Sequence, residues 1–147
     1  MRIGFVLFGT LLFLPFASAI AAETFVAAIA GPRTGSPATG TATFTLRDDL
    51  SAIDYIVTYE NLSSPEYMAH VHRNTDDQIV HYLPLGTPKM GTWDAPTAEQ
   101  LDLLRTEKLY VNIHSEFYPT GEIRGTLTSQ LLPVETKTWG AIKALYR

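Results

Sequence analysis

LYVNIHSEFYPTGEIRG, residues 109–125, reads as a β-hairpin. Leu109, Val111 and Ile113 alternate with Tyr110, Asn112 and His114. This period of two belongs to a strand with one face on a core. Pro119-Thr120-Gly121 is a turn signal, and Gly121 can adopt the positive φ such turns need. A second alternation follows, with Ile123 and Leu127 on one face and Glu122, Arg124 and Thr126 on the other. If the aliphatic residues face a core, the opposite face presents Asn112, His114, Glu122 and Arg124 together. These four are candidate site residues.

Upstream, the same short periods recur. Phe25–Ile29 is a short strand, and 31–37 is a loop rich in Gly and Pro. Ala42, Phe44 and Leu46 alternate with three threonines. Asp48-Asp49 turns the chain into a strand whose Ile53, Tyr55, Val57 and Tyr59 share a face, so this pair reads as an antiparallel hairpin. In Tyr67–His72, Ala69 and Val71 are expected inside, with Met68, His70 and His72 outside. Ile79–Leu85 is a strand that Pro84 ends or confines to an edge, and 86–94 reads as irregular. One short helix is expected over 96–107, before the C-terminal hairpin. Thr97 with Gln100 forms a capping box, and Leu101 and Leu104 share its buried face. About seven strands with breakers at short intervals and one helix predict an all-β domain, an antiparallel β-sandwich or Greek-key barrel of immunoglobulin-like class. Val57, Val71, Val111, Ile113, Ile123 and Leu127 are expected to share its core.

The first 22 residues read as a signal peptide. Arg2 precedes an apolar run from Phe5 to Phe16, and Ala17-Ser18-Ala19 with Ala21-Ala22 offers small residues for cleavage. The run is short for a spanning helix, and Pro15 interrupts it, so no membrane span is expected in the mature chain. Residues 23–132 are expected to form one domain, and 133–147 a tail able to form a short basic amphipathic helix. The expected location is therefore outside the cytoplasm: secreted, periplasmic or at the cell surface. The chain has no cysteine, which excludes disulfides, thiolate metal sites and a cysteine nucleophile. Its formal charge is −4, and the charges are scattered with no basic patch, so nucleic-acid binding is not expected. No G-x-S-x-G, phosphate loop or calcium loop occurs.

Several pieces together resemble the CHRD domain, a family named for chordin and widespread in secreted bacterial proteins. They are Phe25-x-Ala27, Gly40-Thr-Ala-Thr-Phe44, Ala69-His70-Val71-His72, Leu109-Tyr-Val-Asn-Ile-His114 and Gly121-Glu-Ile-Arg-Gly125, spread over residues 24–130. The resemblance implies an all-β domain outside the cytoplasm. It implies no biochemistry, since bacterial members are mostly of unassigned function.

The histidines carry the chemistry. His70 and His72 fall on one strand face, about 6.5–7 Å apart along the strand. His114 has the same outward parity on its own strand. If the two strands are neighbours, three imidazoles converge, a donor set suited to zinc or copper(II). His81 is a further candidate ligand, although nothing in its strand fixes its direction. His70-Val71-His72, with His114, also looks like the copper-binding strand of copper–zinc superoxide dismutase. The likeness stops there, because that family's cysteine pair and its zinc loop with an aspartate ligand have no counterpart here. The alternative is a hydrogen-bonded surface cluster of the same histidines with Asn112, Glu122 and Arg124. Three functions follow as expectations. The first is a non-enzymatic module binding an extracellular or periplasmic ligand through its histidine-bearing face. The second is a copper- or zinc-binding metalloprotein, with redox activity if the metal is copper. The third is a structural cell-surface module.

Overall fold

The computed structural model describes residues 22–31 and 33–130. The leader and tail expected from the sequence fall on 1–22 and 133–147, outside the described residues except for Ala22. The described residues hold nine strands and one helix: β1 (Glu23–Gly31), β2 (Ser36–Leu46), β3 (Ala52–Glu60), β4 (Glu66–Arg73), β5 (Ile79–Leu83), β6 (Lys89–Asp94), α1 (Ala98–Arg105), β7 (Leu109–Ser115), β8 (Ile123–Thr126) and β9 (Thr128–Ser129).

The strands form one sheet in the order β5-β4-β7-β8-β1-β2-β3-β6, with β9 continuing beside β1. Every pairing is antiparallel. The sheet curls into an eight-stranded, nearly closed barrel whose two edges are β5 and β6. Of the two architectures expected, the barrel is the one found. Across its seam His81 of β5 stacks on Trp93 of β6, with ring centroids 4.7 Å apart.

The aliphatic parity read from the sequence is the barrel interior. Val57, Val71, Val111, Ile113, Ile123 and Leu127 are all buried in one core with Phe25, Phe44 and Ile53. Helix α1 closes one region of that core with Leu101 and Leu104, and its Thr97–Gln100 capping box is present. Capping satisfies backbone N–H groups that the first helical turn leaves without partners.

Segment 86–94 departs from expectation, because most of it is β6, paired with β3 from Ala52↔Asp94 to Val57↔Lys89. Its pattern is inverted: Lys89 is buried and Met90 is exposed. Lys89 reaches Glu66, a pairing made by the fold that local hydrophobicity does not reveal.

Candidate functional site

The pairing of β4 with β7 builds the site. Their register sets Met68 opposite His114, His70 opposite Asn112 and His72 opposite Tyr110. His114 therefore lies diagonally across from His70, within reach of a ring. His70 and His72 share a face because they are two residues apart. Ring centroids are 5.4 Å apart for His70–His72, 5.1 Å for His70–His114 and 6.1 Å for His72–His114. One ring nitrogen from each histidine lies within 4.8 Å of the other two, a group that could hold a metal ion.

The three face away from the barrel core yet are not surface residues. His70, His72 and His114 are 3%, 7% and 6% exposed, and all seven residues of β7 are buried. Two turns fold back over the outer face. The turn after β4 brings the Asp77 carbonyl to His72, whose Nδ1 lies 2.7 Å from it. The loop after β7 brings the Pro119 carbonyl to within 2.9 Å of His114 Nδ1. A carbonyl only accepts, so each Nδ1 is the protonated donor and each Nε2 presents a lone pair. Those two Nε2 atoms, together with His70 Nδ1, are buried without a hydrogen-bond partner. Burial foremost, then the neighbouring His114 and His72, pushes the His70 pKa down to about 4, so at neutral pH it is uncharged. Burial likewise lowers that of His114 against the opposing pull of its Pro119 bond.

Tyr110 stacks on His72, with centroids 5.1 Å apart and planes 12° from parallel, and its hydroxyl donates to Asp77 Oδ1 at 2.8 Å. Tyr82 meets His70 edge-on at 4.9 Å. The expected surface neighbours are distributed differently. Asn112 and Glu122 are buried, and Arg124 is half-buried. Glu122 Oε1 accepts from Ser36 Oγ at 2.5 Å, Ser63 N at 2.8 Å and Ser63 Oγ at 2.7 Å. Burial works to raise its pKa, but the neighbouring serine hydroxyls and the Ser63 backbone N–H, with bonds from Ser36 and Ser63, outweigh it and hold the carboxyl below its usual value.

His81 is not brought to the triad. It pairs opposite Val71, a core residue, and lies at the barrel seam against Trp93 and Tyr55. Sequence reasoning missed the residues that position the ligands: Asp77, Pro119 and Tyr110. Tyr110 shares the parity of His114 and could have been found. The two carbonyls leave no signal in side-chain chemistry.

A cavity of about 380 Å³ opens beside the site, lined by His72, His114, Tyr110 and Asn112, by the loop 120–122, and by Arg33 and Arg124 among others. Among the described residues, no helix is long and apolar enough to cross a membrane. In comparison with known proteins, the CHRD domain matches residues 20–127. No curated protein matches the chain.

Proposed function

This chain belongs to the CHRD domain family, and within that family we propose that it is an exported metal-binding protein that holds one copper or zinc ion on His70 Nδ1, His72 Nε2 and His114 Nε2. Two observations carry the proposal together: each of the three histidines offers a ring nitrogen within 4.8 Å of the other two, and each has one buried ring nitrogen without a hydrogen-bond partner. Buried polar atoms in native proteins are nearly always paired, so three left open within one cluster of rings point to a ligand shared by all. A hydrogen-bonded histidine cluster would instead have paired them.

The surrounding bonds support the same conclusion. Histidines that ligate metals characteristically donate their second nitrogen to a carbonyl or carboxylate, which fixes the tautomer and ring orientation. His72 and His114 both do this. Neutral imidazole is the binding form, and the depressed pKa of His70 keeps it available. Three protein ligands leave room for a further one on a tetrahedral ion. When bound, the metal would supply Lewis acidity, or one-electron chemistry in the case of copper. Export is supported by the apolar N-terminal run and its small-residue cleavage sites.

The test is metal analysis of protein purified without a histidine tag, followed by reconstitution with Cu(II) and Zn(II) at neutral pH. One ion per chain is expected. His114→Ala should lose it while remaining folded by circular dichroism, and His81→Ala should keep it. Stoichiometric metal surviving in His114→Ala, or no uptake by the unaltered protein, would overturn the assignment.

A further inference from the structure

We propose that the cavity beside the histidine triad binds a small anion, a carboxylate or inorganic oxyanion, through Arg33 and Arg124, and that this anion shares the site with the metal ion. The proposal rests on the metal assignment above.

The pattern of ion pairing points to it. Of the described arginines, Arg47, Arg73 and Arg105 each form a salt bridge with a carboxylate. Arg33 and Arg124, the two that line the cavity, form none among the described residues. Both gather around Tyr110. The Arg124 guanidinium lies 5.5 Å from the Tyr110 ring centroid. Arg33 and Tyr110 line this cavity and the adjoining one together.

The cavity also contains two acids, Asp77 and Glu122. Their described hydrogen bonds come from neutral groups: Asp77 Oδ1 accepts from Tyr110, and Glu122 Oε1 accepts from Ser36 and Ser63. The guanidinium forks are thus left open, and such forks match the planar, two-oxygen geometry of a carboxylate or oxyanion. With a divalent ion on the histidines the lining carries net positive charge. A volume of about 380 Å³ suits a small molecule. An adjoining cavity of about 500 Å³ shares Arg33, Asp77, Tyr110 and Arg124 and extends to Asn74 and Thr126.

Azide is the probe. Copper-loaded full-length protein is titrated with it, read by the azide-to-copper charge-transfer band and by electron paramagnetic resonance, with copper stoichiometry measured separately. Saturable binding is expected. Arg33→Gln and Arg124→Gln should each weaken it about tenfold at unchanged copper content, the loss expected for one charge-assisted bond. Arg33 lies in an exposed turn, so its variant tests the idea even if loss of Arg124 disturbs the ring beneath it. Arg124→Lys, which keeps the charge but not the fork, should fall between. Copper bound without any azide response, or azide affinity unchanged in both glutamine variants, overturns the anion pocket and leaves the metal assignment standing. If only zinc binds, the titration is run on the cobalt(II)-substituted protein with its azide band as the readout; failure to bind either copper or zinc overturns both.

Discussion

His72 and His114 each direct one nitrogen at a backbone carbonyl and leave the other open, and Glu122 shows the same control of a polar group by its neighbours. It is a buried carboxylate held ionised by hydroxyl and backbone donors, with no cation among its described bonds. Its folded pKa lies below the ordinary 4.5, so the unfolded chain takes up its proton first on acidification. The stability it contributes is therefore complete above about pH 4.5 and lost as the pH falls through the lower folded value. Glu122→Gln should destabilise the protein at pH 7 by about 1–3 kcal/mol, since it disturbs several bonds to a buried charged group. The gap from the unaltered protein should narrow below pH 4.5. Urea unfolding at pH 7 and pH 3.5 measures this; a gap of constant size would mean that the ionised form is not the source.

Among the elements, the β7–β8 hairpin carries the most of the site. One face of β7 builds the core with Leu109, Val111 and Ile113, and the other holds Tyr110, Asn112 and His114. The connecting loop must fold back so that the Pro119 carbonyl reaches His114. Gly121 makes that return possible. Its φ is +114°, and a Cβ there would collide with the side chain of Asn112. Gly121→Ala should cost about 1–3 kcal/mol from backbone strain, with the clash adding to it. It should also weaken metal binding, because the loop would no longer hold His114 in its tautomer. Thermal melting and metal titration of the same variant check both effects. Retained stability together with lost metal would place the loop's role in orientation alone.

At the scale of the molecule, the open side of the barrel is held partly by charge. Lys89 on edge strand β6 is 1% exposed and forms an ion pair with Glu66 on β4, while its Nζ also donates to the carbonyls of Pro84 at 2.9 Å and Gly86 at 2.8 Å. Glu66 further accepts from Tyr59 Oη at 2.9 Å and Gly86 N at 2.6 Å. Burial lowers the pKa of Lys89, and the bond to Glu66 opposes this. Removing one partner leaves an uncompensated buried charge, so Lys89→Met is expected to cost about 3–5 kcal/mol. Lys89→Met with Glu66→Gln should recover a large part of that loss. A double-mutant cycle by denaturant unfolding measures it. Additive losses would show that the pair does not act as a unit.

The local pattern of residues was enough for the barrel wall and the helix start. Alternation put Val71, Val111, Ile113, Ile123 and Leu127 on one parity, and Thr97 with Gln100 marked the cap, because both signals lie within a few residues of chain. The same alternation placed His70 and His72 on one face. It could not make them a triad with His114, since that requires β4 to lie beside β7 in the register that sets His70 opposite Asn112. Strand neighbours are chosen by long-range packing, which leaves no periodicity in either strand. Nor could it reveal that the outer face is buried. The turn at Asp77 and the loop at Pro119 cover that face with backbone carbonyls, groups that every residue carries and no side chain announces. Strand β6 was hidden for a related reason. A lysine pointing inward reads as a break in the hydrophobic pattern until the fold supplies Glu66.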